Sequence, residues 1–199
     1  MKMTRFFLCS VAAYYLLISG ASAGFFNTAR FVEAKRWSIG FEPELTFTRG
    51  SGLGANLKFT QGFNDLLNLA GIMGTGGGAR GFRIGPQAVF DFFPDVEGQP
   101  GIGLAIETIY YRIFQAGRLE LTASPYIHKT FETDSGGNIA PFLAFPIGFS
   151  VGSDDTRNIA HVAVGTMIKR GEHFDFVVEL GVNVNNYYTT FSGGVAYYY

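Results

Sequence analysis

The stretch FDFVVELGVNVN, residues 174–185, interleaves two sets of residues. Phe174, Phe176, Val178, Leu180, Val182 and Val184 hold the even positions. Asp175, Glu179, Gly181, Asn183 and Asn185 hold most of the odd ones, with Val177 the exception. Side chains alternate across a β-strand with period two, so this pattern describes a strand with two chemically different faces.

Working outward, the same alternation recurs from Trp37 onward. Ile39, Phe41, Leu45 and Phe47 oppose Ser38, Gly40, Glu42, Glu44 and Thr46; Leu53, Ala55, Leu57 and Phe59 oppose Asn56, Lys58 and Thr60. Phe82, Ile84, Ala88, Phe90 and Phe92 oppose Arg83, Gln87 and Asp91; Ile102, Leu104 and Ile106 oppose Gly103, Ala105 and Glu107. Leu119, Leu121 and Ile127 oppose Glu120, Thr122, Ser124 and His128. Further segments run through residues 139–151, 159–169 and 187–199. Nine strands are clear, and residues 69–75 of the Gly-rich stretch 64–81 supply a weaker tenth. Short breaks such as RGSG, GSDDTRN and RGEH separate them, as turns do. Pro43, Pro86, Pro125, Pro141 and Pro146 fall inside strands, where each marks an edge, a bulge or an end.

Composition agrees with an all-β chain. Among 199 residues are 27 Gly, 21 Phe and 10 Tyr, with only 16% charged. The formal net charge of −1, with no basic stripe, excludes a nucleic-acid partner. Residues 1–23 form a separate unit. Lys2 and Arg5 precede the apolar run Phe6–Ile18, and Ala21-Ser22-Ala23 ends it with the small residues of a cleavage site. This is the three-part pattern of a secretory signal peptide, too short for a membrane anchor. Cleavage before Gly24 removes Lys2, Arg5 and Cys9. The remaining domain, 24–199, has 13 basic and 16 acidic residues and no cysteine.

Two architectures share this alternation. A soluble barrel or sandwich packs the apolar set inside, whereas a membrane barrel turns it to lipid and keeps the polar set in the lumen. The polar set is small as often as charged: Gly40, Gly103, Ala105, Ala144, Gly165, Gly181, Gly194 and Ala196 lie on it. A water-facing surface would carry more Lys and Glu, while a crowded interior needs small residues beside large ones. Aromatic residues also gather at segment ends, at Trp37, Phe92, Phe93, Tyr110, Tyr111 and Tyr197–Tyr199, as in the interfacial girdles of a barrel in lipid. The reading is therefore a closed antiparallel transmembrane β-barrel of ten strands, with eight as the alternative.

On these residues the chain resembles the small outer-membrane β-barrel proteins of Gram-negative bacteria. In SGGVAYYY at the end, Ser192, Gly194, Tyr197 and Tyr199 match that class's C-terminal assembly signal. The resemblance implies export to the cell outer membrane, insertion by the barrel-assembly machinery and outer-membrane lipids as surroundings. A monomer is expected. The short loops argue against a receptor or adhesin.

Parity places Glu42, Glu44, Asp91, Glu107, Glu120, Asp175 and Glu179 in the lumen with Lys58, Arg83 and Lys169, and with His128 and His161 beside them. These residues form either a plug of hydrogen bonds and salt bridges or a narrow path whose acid excess favours cations. A structural envelope role or a narrow cation-preferring pore follows, without catalytic chemistry and without a cofactor. The alternatives are a lipid-modifying barrel enzyme and a soluble lipocalin-like carrier. The enzyme's candidate pair, Ser124 and His128 with Glu120, lies on one strand face, where four residues separate Ser124 from His128 by about 13 Å. That is beyond the reach of a nucleophile and its base. Asp154 and Asp155 read as a solvated turn, and the spacing of His, Asp and Glu matches no metal-ligand motif.

Overall fold

The computed structural model describes residues 31–48, 51–77, 80–113, 116–133, 136–185 and 188–199. The leader expected at 1–23 lies outside them. Twelve β-segments follow one another: β1 (Trp37–Thr46), β2 (Gly52–Asn64), β3 (Leu67–Thr75), β4 (Arg80–Phe93), β5 (Gly101–Ile113) and β6 (Ala116–His128). Then come β7 (Phe131–Glu132), β8 (Asn138–Ala144), β9 (Ile147–Gly152), β10 (Thr156–Arg170), β11 (Phe174–Asn185) and β12 (Thr190–Tyr198). Each long strand pairs antiparallel with its chain neighbour, and β12 pairs with β1 from Ser38↔Tyr198 to Thr46↔Thr190, so the sheet closes on itself.

β8 and β9 are two halves of one stave. β8 meets β6 at Tyr126–His128 and β10 at Ala163–Lys169. β9 meets β6 at Arg118–Ala123 and β10 at Thr156–Ala160. Pro146, which has no N–H to donate, sits at the break between them. β7 is a short extension paired to β8. The closed ring is thus a ten-stranded antiparallel barrel, and the weak tenth strand of the sequence reading is β3, paired along its length to β2 and β4. Pro86 also interrupts a ladder: the β4–β5 pairing has a gap between Ile84↔Tyr110 and Gln87↔Glu107, with the register unchanged across it.

An even number of staves puts both chain ends at one rim, with Trp37 beside Tyr197 and Tyr199 (ring centroids 6.2 and 5.2 Å). This terminal rim also carries the two longest connections, 94–100 and 129–137. The far rim carries short turns, as at 153–155. Short connections are expected nearly throughout from the sequence, and the two terminal-rim loops depart from that.

Burial follows parity along the staves, except at the bulge between Arg80 and Arg83 of β4. In β11, Asp175 and Glu179 are 0% exposed, while Phe176 and Val178 between them are 45% and 40% exposed. Ile39, Phe41, Leu57, Phe59, Phe149 and Phe191 are likewise exposed on the outer wall. Charged side chains line the inside and large apolar ones the outside, the reverse of a soluble barrel. The interior also holds small apolar clusters, one of Ala140, Phe142, Met167 and Val177 and another of Val89, Ala105, Tyr126, Ala144 and Ala163. Large rings need small neighbours there. A Cβ on Gly165 would sit 2.8 Å from a Phe142 ring carbon and 2.6 Å from the Val178 carbonyl oxygen. Replacing Gly165 with Val therefore overpacks the lumen and should destabilise the barrel by about 1–3 kcal/mol, measured from the midpoint of guanidinium unfolding.

Candidate functional site in the barrel lumen

The lumen is layered along its axis. Near the far rim, Glu44 projects inward from β1 and meets two guanidinium groups from β4, three staves away. Arg80 Nη2 donates to Glu44 Oε1, and Arg83 Nη2 donates to Glu44 Oε2 at 2.6 Å. All three side chains are at most 4% exposed. Arg83 Nε donates to Asn56 Oδ1 (2.7 Å), and Arg80 Nη2 to Thr46 Oγ1 (2.9 Å). Arg80 also stacks over the Tyr188 ring at 4.4 Å. One carboxylate held by two guanidinium forks, each further hydrogen-bonded, satisfies the conditions under which buried charge is tolerated.

A second bridge lies on the other side of this rim. Arg118 Nε donates to Ser150 Oγ (2.9 Å), Arg118 Nη2 to the Ser150 carbonyl (3.0 Å), and Arg118 Nη1 to Asp155 Oδ1 (2.5 Å). Ser150 Oγ lies 3.1 Å from Tyr111 Oη. Asp155 Oδ2 accepts from Arg157 Nε at 2.5 Å. Hydrogen bonds from Arg118 and Arg157 hold the Asp155 carboxyl below the usual range.

The middle layer is built around Lys58 of β2, which is 3% exposed. The carboxylates of Glu107, Glu42 and Glu179 act on its ammonium from β5, β1 and β11. Gln87 Nε2 donates to Glu107 Oε2 at 3.1 Å. Glu120 of β6 lies diagonal to Glu107 on the neighbouring stave, and the two like charges act on each other. Acids therefore outnumber bases in this layer.

Toward the terminal rim stand Asp91, His128, Lys169 and Asp175. Lys169 is in register with Asp175 across β10–β11. His128 stacks on Tyr126, with ring centroids 6.0 Å apart. The two rim loops are tied together: Lys129 Nζ donates to Asp95 Oδ1 (2.8 Å) and the Val96 carbonyl (2.7 Å), and Thr130 N donates to Asp95 Oδ2 (2.6 Å). Desolvation would raise the Asp95 pKa, but the bonds from Lys129 and Thr130 prevail and hold it below the usual carboxylate range.

All twelve lumen candidates of the sequence reading lie on the inner wall. Asp91, Glu107 and Lys169 are half-buried there and the rest are buried. They are layered by depth: Glu44 bonds Arg83 at the far rim, Glu42, Glu107 and Glu179 surround Lys58 in the middle, and Asp175 stands in register with Lys169 near the termini, with Arg83 acting on Glu42 and Glu107 between the first two layers. Ser124 and His128 both face inward on β6. Two bases were missed. Arg118 shares the parity of Glu120, so the signal is present, but the clear alternation starts at Leu119, three residues inside β6. Arg80 could not be found by parity. It lies three residues from Arg83, and only a bulge in the β4–β5 register between them turns both inward. Asp155, read as solvated turn, is instead a rim anchor for Arg118. Among the described residues, no group of three or more His, Cys, Asp or Glu side chains is placed to hold a metal ion.

No family model and no curated protein matches this sequence. Among solved structures, the chain is similar to an outer membrane channel from Pseudomonas putida F1, at 11% identity over 89% of this chain and 99% of that one, with a TM-score of 0.48. It is also similar to the KdgM porin, at 15% identity over 80% and 98%, with a TM-score of 0.44. A third is the N-terminal β-barrel domain of Pseudomonas aeruginosa OprF, at 15% identity over 83% and 98%, with a TM-score of 0.40.

Removing the shared carboxylate should harm the barrel more than removing either base. Glu44→Ala leaves Arg80 and Arg83 facing each other without their anion and is expected to cost about 3–5 kcal/mol. Arg83→Ala leaves the Arg80–Glu44 pair and should cost less, as compared by guanidinium unfolding of the two variants.

Proposed function

We propose that this chain is an integral outer-membrane β-barrel with a structural role in the cell envelope, its lumen closed to all but a narrow cation-preferring path. The observation that carries the reading is the inversion of burial. A closed ten-stranded wall exposes Phe41, Leu57, Phe149, Phe176 and Phe191 outward and turns Glu42, Glu44, Lys58, Arg83 and Glu179 inward. In water that outer wall would be one large apolar patch. In a bilayer it is the surface the solvent requires, and closure leaves no unpaired strand edge in hydrocarbon.

Three further features support it. Trp37, Tyr197 and Tyr199 cluster at the terminal rim with Phe59 and Phe174, the position of an interfacial aromatic belt. The pattern of residues 1–23 supplies an export signal. Ser192, Gly194, Tyr197 and Tyr199 supply the signal for the assembly machinery. The acid excess of the middle layer gives the cation preference, and the arginine bridges across the far rim keep any path narrow. No catalytic step is assigned: Ser124 and His128 stand four residues apart on β6, about 13 Å by strand geometry.

A folding assay in detergent tests the membrane reading. The barrel should migrate differently in unboiled and boiled samples, whereas a protein that stays monomeric in buffer without detergent would end the proposal. The wall can be tested residue by residue. Val178→Arg puts a charge on the lipid face and should cost about 2–4 kcal/mol, so the folded band should fall far more than for Glu179→Gln; equal tolerance would reverse the assignment of faces.

Assembly is tested separately. Deleting Tyr197–Tyr199 removes the aromatic end of the signal and the closing bonds between Trp37 and Tyr199. Export should continue while outer-membrane levels, read by fractionation, drop sharply.

A further inference from the structure

The chain does not lead straight into β1 at Trp37. Lys35 N donates to the Gly62 carbonyl (3.0 Å), Gly62 N donates to the Arg36 carbonyl (2.9 Å), and Gln61 Nε2 donates to the same carbonyl (2.8 Å). Arg36 N closes a turn on the Glu33 carbonyl (3.0 Å), and Lys35 adopts φ 69°. A residue with a side chain rarely adopts that conformation unless its surroundings hold it there. The turn drives Val32 into the barrel. Val32 is 3% exposed and packs on Ala196 and Tyr198, both on the inner face of β12.

The wall is shaped to receive it. Asn68 of β3 faces inward and is 2% exposed. With its amide turned so that oxygen faces Val32 N, its carboxamide accepts from that N–H (2.7 Å) and donates to the Val32 carbonyl (2.9 Å). One side chain thus offers the donor and acceptor of a β-ladder partner and reads the backbone of the inserted residue rather than its side chain. Opposite, position 62 is glycine. A Cβ there would stand 2.7 Å from the Val32 carbonyl oxygen and would run into the Glu33 carbonyl. Residues of β2, β3 and β12 therefore converge on this one short segment.

We propose that residues 32–36 are a built-in stopper, seated in the terminal-rim mouth of the lumen by Asn68 and Gly62. At the far rim the lumen is crossed by side chains of the wall itself, mainly Arg80, Arg83 and Glu44. At this rim the seal is a length of chain outside the wall, which can leave without unpairing a single stave. Access to the lumen from the terminal side is thus set by whether the segment is seated. This holds whether or not the barrel conducts.

Thiol accessibility tests the seal. Ala196, in contact with Val32, is changed to Cys in a Cys9→Ser background, and its reaction with a charged methanethiosulfonate reagent is followed in detergent. Labelling should be slow with the segment seated. Asn68→Ala removes two hydrogen bonds, and Gly62→Val fills the seat; each should speed labelling about tenfold or more by raising the open population. Unboiled gel mobility verifies that each variant is folded. Because the point changes touch the wall, deletion of residues 24–34 is the deciding variant: it should fold and label at the fast rate. Equal rates in the parent and the folded variants would overturn the proposal, and so would failure of the deletion variant to fold.

Discussion

The antiparallel ladder between β1 and β12 is the contact on which the other features depend. Its register runs from Ser38↔Tyr198 to Thr46↔Thr190 and is extended by bonds from Phe47 N to the Thr189 carbonyl and from Tyr199 N to the Trp37 carbonyl. Without it the two strands would end the sheet as open edges, each with a row of unpaired N–H and C=O groups. With it, the wall has an inside and an outside, and the alternation along each strand acquires a single meaning. Glu44 on β1 can then face Arg80 and Arg83 on β4 across an enclosed space, where solvent does not compete for them.

Enclosure imposes its own demands. Charges taken from water are costly unless they are paired and hydrogen-bonded. The interior meets this with the Glu44–Arg80–Arg83 and Arg118–Ser150–Asp155 bridges near the far rim. Space is the other demand. Phe142, Tyr126 and Met167 point inward on staves whose neighbours carry Gly165, Gly103 and Ala140, so large and small residues alternate around the wall. The mouth beside the termini is filled differently, by Val32 from outside the wall. One interior therefore combines ionic bridges, apolar packing and an inserted segment, each suited to what the local staves present.

Much of the inner wall was legible as parity. Glu42, Lys58, Glu120, Asp175 and Glu179 could be placed because each sits between outward-facing apolar residues. Arg118 was equally legible but lay at the edge of its run, where no apolar residue precedes it to mark the face. Arg80 was not legible. It follows a glycine-rich stretch and lies three positions before Arg83, so strict alternation assigns the two arginines to opposite faces. The bulge that brings both inside arises from pairing with β5, a partner more than twenty residues away in the chain.

The amino-acid sequence alone determined the all-β class, the facing of the nine clear strands away from bulges, and the reversal of polarity between wall and lumen, while the count of ten staves needed the closed ring. Those three features follow from a period-two pattern, which is local and survives whatever the strand pairs with. Only the tertiary structure decided which charges meet, that Pro146 splits one stave into β8 and β9, and that Val32 turns back into the mouth to bond Asn68. Those outcomes depend on how far each strand is shifted against its neighbours around a closed ring. That shift is set by all ten staves together, and no single stretch of the chain records it.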